Sequence, residues 1–241
     1  DNNNILGIGV NGQITKSSNS GLNWNSQIIN NNADWIWGVD FVNGNTGFAA
    51  DQGHLLKTTN AGNNWFSILN KGLYKIDFAD VNTGYCSGSD TLYKTTNGGL
   101  SWIGIPYGLQ TQINGMSFIN TNTGFILASQ VKKTTNSGVT WADIKNYRGY
   151  PQSIYFYDEN LGFIGENDYN LGWGVSRTTN SGLNWDFQTF PNVDYFIFDF
   201  YFTSNTTGYF TTRNQIFKTT NSGSNWFLVY DYNNIYYPIE M

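Results

Sequence analysis

Residues 178–185 read TTNSGLNW, and five further stretches of the chain follow the same eight-residue template. They are SSNSGLNW at 17–24, TTNAGNNW at 58–65, TTNGGLSW at 95–102, TTNSGVTW at 134–141 and TTNSGSNW at 219–226. Successive final tryptophans are 37 to 44 residues apart. A period of this length indicates one supersecondary unit repeated along the chain. We call these stretches the octets and number their positions 1 to 8.

The sequence before each octet predicts four short strands per repeat. From the second repeat onward a glycine marks a polar turn, and a phenylalanine stands six residues before it. The glycines are Gly47, Gly84, Gly124, Gly162 and Gly208, and the phenylalanines are Phe41, Phe78, Phe118, Phe156 and Phe202. We predict strand A ending near the phenylalanine, a turn centred on the glycine, strand B, a variable connection, strand C, the octet turn and strand D.

Four short strands in about 40 residues are typical of a propeller blade. The predicted fold class is therefore all-β: a six-bladed β-propeller of four-stranded antiparallel blades, forming one domain over residues 1–241.

The first repeat lacks strand A. Residues 235–241, IYYPIEM, place Ile239 and Met241 where Val39 and Phe41 stand in the second repeat. We predict that this C-terminal strand completes the first blade and closes the ring, which covers exposed sheet edges.

The octet also predicts its own local structure. The asparagine at position 3 is expected to accept hydrogen bonds from backbone N–H groups two residues on, and the glycine at position 5 to adopt a positive φ. The tryptophan at position 8 is expected to pack as an apolar wedge between neighbouring blades. Six of the nine tryptophans are structural on this interpretation.

Composition narrows the function classes. Aromatic residues make up 17% of the chain, which disfavours disorder. The net charge of −5 disfavours nucleic acid as a partner. No apolar run approaches the roughly 18 residues that cross a membrane, so membrane insertion is not expected. A lone Cys86 excludes an internal disulfide, and a lone His54 disfavours a zinc site or a catalytic triad. We expect an exported monomer, extracellular, periplasmic or at the cell surface, with no cofactor and no metal.

The octets resemble the Asp-box (BNR-like) repeat, Ser/Thr-x-Asp-x-Gly-x-Thr-Trp, of sialidases, sortilin-type receptors and certain xyloglucanases. Asparagine replaces the aspartate in all six copies. Together with the NTGF turn at 45–48, the octets most resemble the photosystem II assembly-factor type of propeller and related repeats of bacterial secreted proteins. That resemblance covers the whole chain and implies a propeller. It would also imply seven blades and an arginine patch, whereas this chain has six repeats and three arginines, so a photosynthetic role does not follow.

Propellers of this kind include enzymes, so we consider two enzyme classes, sialidases and other glycoside hydrolases. A sialidase needs three converging arginines, but Arg177 occupies the basic position that precedes every octet, which leaves Arg148 and Arg213. The basic residues in the other repeats are Lys16, Lys57, Lys94, Lys133 and Lys218, and they predict either a cationic ring or solvent-facing ends of strand C. We therefore do not expect a sialidase.

A glycoside hydrolase is the alternative function. Its two carboxylates would lie roughly 5 to 9 Å apart and would come from acids outside the repeated positions. These acids are Asp34, Asp51, Asp90, Glu166, Asp168 and Asp194. Residues 168–172, DYNLG, also begin like a calcium loop but lack its distal glutamate.

The variable connections, between strands B and C and between strand D and the next strand A, are predicted to share one end of the propeller. The ligand-binding residues that we predict there are Trp35, Tyr107, Tyr147, Arg148, Tyr150, Tyr169, Trp173, Asp194 and Tyr195. Trp37 fits core packing as well as ligand contact. The longest insertion, 165–174, lies in the fifth repeat. Insertions confined to one face of a repeat protein often mark its binding face.

Aromatic rings among amides suit sugar rings or extended peptides. The predicted function is a non-catalytic binding or scaffolding module for a protein or carbohydrate partner. A third alternative is a structural section of a larger secreted chain.

Overall fold

The computed structural model describes residues 5–19, 22–29, 35–105, 112–146, 149–190, 193 and 196–231. The predicted fold class is confirmed: the chain is all-β, with the antiparallel blades of a six-bladed β-propeller. Asp1–Ile113 and Asn114–Met241 are two compact units with three sheets each. Within the described ranges, no helix has the length and apolar character needed to cross a membrane.

The first unit holds blades 1 to 3. Its strands are β1 (Ile5–Ile8), β2 (Gln13–Ser17), β3 (Asn25–Ile28), β4 (Ile36–Phe41), β5 (Gly47–Asp51), β6 (Leu55–Thr58), β7 (Phe66–Leu69), β8 (Lys75–Phe78), β9 (Gly84–Ser87), β10 (Leu92–Thr95) and β11 (Ile103–Ile105). Blade 1 contains β1 to β3 among the described residues, and the other two blades are four-stranded. The predicted closing strand at 235–241 lies outside the described residues, so ring closure stays a prediction.

The second unit holds blades 4 to 6, each with four strands in sequential order. Its strands are β12 (Gly115–Phe118), β13 (Gly124–Leu127), β14 (Val131–Thr134), β15 (Ala142–Lys145), β16 (Ser153–Phe156), β17 (Gly162–Asp168), β18 (Gly172–Thr178), β19 (Asp186–Thr189), β20 (Asp199–Phe202), β21 (Gly208–Thr211), β22 (Gln215–Thr219) and β23 (Phe227–Asp231). Strands A to D of blades 2 to 6 follow the predicted order, as do strands B to D of blade 1.

The phenylalanine and glycine that recur before each octet face each other across strands A and B. Phe41 ends β4 and pairs directly with Gly47, the first residue of β5. A Cβ on Gly47 would lie 2.7 Å from the Phe41 ring, so a side chain there would collide with it. The prediction that the glycine is the centre of the turn is therefore wrong. Glycine is needed because the aromatic ring lies over its backbone.

The octet turn is held by two side chains, as blade 2 illustrates. The Thr58 hydroxyl accepts a hydrogen bond from the Gly62 N–H at 3.0 Å and donates to Asn60 Oδ1. Asn60 Oδ1 also accepts from the N–H of Asn64 at 2.9 Å. The predicted acceptance from an N–H two residues on is wrong, because the turn brings the N–H four residues on to the amide oxygen. The octets of blades 3 to 6 repeat these bonds.

Two successive octet residues adopt a left-handed backbone. Gly62 at position 5 has a φ of 80°, which confirms the prediction, and Ala61 at position 4 has a φ of 58°. Position 4 is glycine in blade 3 and serine in blades 4 to 6, so most blades place a side chain in a region that usually favours glycine. The Ala61 N–H donates to the carbonyl of Asn45 at 2.8 Å, which joins the octet to the turn between strands A and B of its own blade.

The octet tryptophans pack edge-on against the phenylalanine that ends strand A of the same blade. Trp65 and Phe41 illustrate this arrangement, with ring centroids 6.0 Å apart and ring planes at 89°. The predicted wedge between blades is confirmed for Trp226, which contacts Phe163 of the preceding blade at 5.9 Å. The surface of Trp24 is 41% exposed. The strand predicted to pack beside it, 235–241, lies outside the described ranges.

In four of the described repeats the basic residue before an octet bonds to position 4 of the octet in the next blade. Lys16 donates to the carbonyl of Ala61 at 2.5 Å, and Lys57 donates to that of Gly98 at 2.8 Å. In the second unit, Arg177 Nε donates to the carbonyl of Ser222 at 2.6 Å. The predicted cationic ring stays a prediction. The prediction of solvent-facing strand ends is wrong for Lys16, Lys57 and Arg177, because their side chains are partly buried in these bonds. They connect successive blades.

A partly buried carboxylate also connects two strands A. Asp40 Oδ2 accepts the N–H of Phe78 at 2.7 Å, from β4 to β8. In the second unit the Ser117 hydroxyl accepts the N–H of Phe156 in the same way at 3.0 Å. Burial raises the pKa of Asp40 to about 6, although the N–H groups of Phe78 and Phe41 lower it in part.

Replacing Thr58 by valine should test the octet turn. The change keeps the side-chain shape but leaves the buried N–H of Gly62 without its acceptor. We expect the free energy of unfolding in urea to fall by about 1 to 3 kcal/mol. The matched control is Thr59→Val at the exposed position 2, which should change stability by less than about 0.5 kcal/mol. Equal effects of the two substitutions would show that the octet hydroxyl is dispensable.

The stability of the chain should carry a pH dependence from Asp40. Because its folded pKa lies above the unfolded value of 3.8, the folded state binds more protons between these values, and stability falls as pH rises through them. Relative to Asp40→Asn, the wild type should lose about 1 to 3 kcal/mol between pH 4 and pH 7. Urea titrations of both proteins at several pH values measure this difference. Parallel pH profiles would contradict the assignment.

Candidate functional site

The structure describes four of the nine predicted ligand-binding residues: Trp35, Tyr150, Tyr169 and Trp173. The other five lie outside the described residues, and they are Tyr107, Tyr147, Arg148, Asp194 and Tyr195. All four described residues lie in variable connections or beside them. Trp35 belongs to the first unit and the other three belong to the second.

In the first unit, two tryptophans form a stacked pair at the start of β4. Trp35 immediately precedes the strand, and its ring lies 5.5 Å from that of Trp37 at an angle of 18°. Trp35 is 49% exposed, whereas Trp37 is mostly buried. The ring of Trp37 therefore covers one face of the Trp35 ring, and the exposed part of Trp35 can contact a ligand.

In the second unit, the hairpin of β17 and β18 is longer than the strands beside it. The two strands pair from Gly162 to Asp168, whereas β16 pairs with β17 only as far as Gly165. On the other side, β19 pairs with β18 from Gly174 onward. The insertion at 165–174 thus extends the hairpin beyond the body of blade 5. We call residues 166–174 the blade 5 tip.

A buried carboxylate shapes the turn of the blade 5 tip. Asp168 Oδ1 accepts the N–H groups of Asn170 at 2.9 Å and Leu171 at 3.1 Å. Gly172 completes the turn with a φ of 89°. Hydrogen bonds of this kind hold tight turns and place the intervening residue outward. The DYNLG sequence therefore encodes a hairpin turn, and Tyr169 stands at its end with 71% of its surface exposed.

Tyr169 is paired with Tyr150, which comes from the connection between blades 4 and 5. The ring centroids are 5.9 Å apart and the planes meet at 78°. A side-chain interaction with Tyr150, which favours the protonated hydroxyl of Tyr169, raises the pKa of Tyr169. Tyr150 is 61% exposed. The structure thus brings together two residues that the sequence could place only on the same end of the propeller.

The connection that carries Tyr150 lies directly against the blade 5 tip. A Cβ on Gly149 would be 2.0 Å from the carbonyl oxygen of Asn167, so this approach requires glycine. Pro151, on the other side of Tyr150, is buried. Tyr150 is therefore flanked by two fixed backbone positions, which limits the loss of chain entropy when a ligand binds.

A second aromatic pair lies on the opposite edge of the same tip. Trp173 packs edge-on against Phe196, with centroids 4.7 Å apart and planes at 70°. The carbonyl of Trp173 accepts the N–H of Phe190 at 3.1 Å. Phe196 was not among the predicted residues. It follows Tyr195 in an aromatic-rich segment, 195–202, and that composition was the available signal.

Glu166, one of the candidate catalytic acids, is fully buried at the base of the tip. It forms an ion pair with Lys145 of β15 and accepts the hydroxyl of Ser176. Its second oxygen, Oε2, has no hydrogen-bond partner among the described residues. A carboxylate buried in this way cannot contact a bound sugar. The hypothesis that Glu166 is a catalytic acid of a glycosidase is therefore not supported.

The other described acids also take part in local hydrogen bonds. Asp51 is buried and accepts the N–H groups of Gly53 at 2.7 Å and His54 at 2.5 Å, with His54 Nδ1 3.4 Å away. Asp90 is exposed and accepts the Thr91 hydroxyl. Asp34 and Asp194 lie outside the described residues. In the part of the chain that the structure covers, no three His, Cys, Asp or Glu residues form a group that could hold a metal ion.

Several solved structures share this fold. The structure of YCF48 bound to D1 peptide has a TM-score of 0.71 and 14% sequence identity, and the match covers 95% of this chain and 79% of that one. YCF48 from Cyanidioschyzon merolae gives 0.73 and 16%, covering 98% of this chain and 85% of that one. An ancestral GH74 enzyme gives 0.65 and 19%, covering 96% of this chain but only 39% of the enzyme.

At such identities these matches establish the fold alone. They agree with the similarity of the octets to the assembly-factor type of propeller. No model of a protein family matches the chain, and no curated protein matches it. The assignment of the octets to the Asp-box or BNR repeat therefore stays a prediction.

Replacing Glu166 by glutamine should show that this acid is structural. The substitution leaves the Lys145 ammonium buried beside a neutral partner, and removing one partner of a buried pair costs about 3 to 5 kcal/mol of unfolding free energy. The matched control is Glu159→Gln, because Glu159 is exposed and its partner Lys133 keeps a hydrogen bond to the Ser181 hydroxyl. That change should cost at most about 1 kcal/mol. Urea unfolding measures both, and similar losses would contradict the burial of Glu166.

Proposed function

We propose that the chain is a non-catalytic binding module that presents its variable connections to a protein or carbohydrate partner. The observation that carries the proposal is the pair of exposed tyrosines, Tyr150 and Tyr169. The side chain of Asp168 holds the turn that carries Tyr169, and the close approach of Gly149 to the blade 5 tip positions Tyr150. Large aromatic side chains lose little rotamer freedom on binding, which makes rigid exposed rings effective contact groups.

The use of the acids supports binding over catalysis. A glycosidase needs two carboxylates free to exchange protons or attack a sugar carbon. Glu166 is paired with Lys145, and Asp168 and Asp51 each accept two backbone N–H groups. These bonds account for three of the six candidate acids. The glycoside hydrolase alternative then depends on Asp34, Asp90 and Asp194.

The structural matches are compatible with either partner class. YCF48, which shares the fold, has been captured with a D1 peptide, and a GH74 enzyme shares it as well. The similarity of the octets to repeats of secreted bacterial proteins supports our further proposal that the module is exported. We propose that it acts as a monomer.

A binding screen with variants at both ends of the blades tests this proposal. The purified chain is applied to glycan and peptide arrays, and every bound sugar is recovered and examined by chromatography. We expect intact ligand, and a loss of affinity of about tenfold or more for Trp35→Ala or Trp173→Ala, as for anchor residues of an interface. Matched controls are Leu100→Ala and Leu183→Ala at the exposed octet tips, which should leave affinity unchanged.

Two results would contradict the proposal. Cleaved sugar in the recovered ligand would favour the hydrolase alternative and would direct attention to Asp90, Asp34 and Asp194. Loss of affinity in the octet variants, with no effect of the tryptophan variants, would place the binding surface at the opposite end of the blades.

A further inference from the structure

We propose that Tyr150 and Tyr169 bind a neutral pyranose ring of a carbohydrate ligand. We call this pair the tyrosine platform. The inference rests on the proposed function, because it names the ligand class for one part of the variable connections. It is argued from the ring geometry, from the charges beside the platform and from the edges of the blade 5 tip.

The geometry of the platform gives a sugar ring two surfaces. The tyrosine rings meet at 78°, with 61% of Tyr150 and 71% of Tyr169 exposed. The apolar C–H face of a pyranose can lie on one ring while its edge contacts the other. The two rings are in contact with each other, and the backbone on either side of Tyr150 is held by Gly149 and Pro151, so part of this arrangement exists before a ligand arrives.

The groups beside the platform supply hydrogen bonds without net charge. Asn170 is exposed next to Tyr169, and Asn167 is partly exposed two residues before it. Amide side chains donate and accept, which matches sugar hydroxyl groups. The carboxylate of Asp168 is buried in the turn, and that of Glu166 is buried against Lys145. In the described part of this region, nothing favours a charged ligand over a neutral one.

The edges of the blade 5 tip disfavour an extended peptide. A peptide that adds to a sheet needs an open strand edge for main-chain hydrogen bonds. On the β18 side, the carbonyl of Trp173 already accepts the N–H of Phe190. On the β17 side, Gly149 lies so close to the carbonyl of Asn167 that even a Cβ would not fit. Recognition at this tip therefore depends on side chains, and the exposed ones are the rings of Tyr150 and Tyr169, the amide of Asn170 and the aliphatic chain of Leu171.

Isothermal titration calorimetry with three neutral probes tests the inference: cellohexaose, laminarihexaose and mannohexaose. We expect at least one probe to bind, and Tyr150→Ala and Tyr169→Ala each to weaken that binding by about tenfold, a loss that corresponds to about 1.4 kcal/mol. Tyr169→Phe keeps the ring and should weaken binding by less than about threefold. Tyr157→Ala removes a tyrosine from the turn between strands A and B of the same blade and should have no effect on binding.

The outcomes separate the inference from the proposed function. If a probe binds but the two alanine variants bind it as tightly as the wild type, the platform is not the sugar site, although the module still binds carbohydrate. If no neutral probe binds while a peptide does, the ligand class is wrong and the module is a protein binder. If neither a sugar nor an array peptide binds, the inference and the proposed function both fail. Thermal unfolding of each variant confirms that it is folded.

Discussion

The hydrogen bonds of the octet turn are the interaction on which the rest of the structure depends. The position 1 hydroxyl and the position 3 amide, such as Thr58 and Asn60, hold the turn in a conformation with two left-handed residues. That conformation directs the N–H of Ala61 to its own blade and its carbonyl to Lys16 of the preceding blade. One local motif therefore fixes both the shape of a blade and its connection to the previous one.

The octets need the same side chains in every blade to form these bonds. The repeats therefore differ mainly in the connections between strands B and C and between strand D and the next strand A. Blade 5 makes the largest use of this freedom, with strands extended through Asp168 and Gly172. Its tip is supported at the base by the Glu166 and Lys145 ion pair and at the turn by Asp168. Glu166 and Asp168, which are candidate catalytic acids on the sequence alone, thus support the hairpin that carries Tyr169 and Trp173.

The elements that the sequence predicted are those encoded by short-range spacing. The order of the strands in a blade and the positive φ of Gly62 follow from residues within one repeat. The bond from Lys57 to Gly98 could not be predicted, because it depends on how one blade lies beside the next. The same limit applies to the site. The partner that buries Glu166 is 21 residues away, and Phe196 contacts Trp173 from another connection.

Shortening the blade 5 tip is the most direct test of the division between a fixed scaffold and a variable binding end. In this variant a two-residue Asn-Gly turn, which suits a tight hairpin, replaces residues 168–172. The affinity for the ligand found by the array screen is then measured by calorimetry, beside the melting temperature. A folded variant with a melting temperature within a few degrees of the wild type and at least about tenfold weaker binding is the predicted result. A folded variant that binds with wild-type affinity would contradict it.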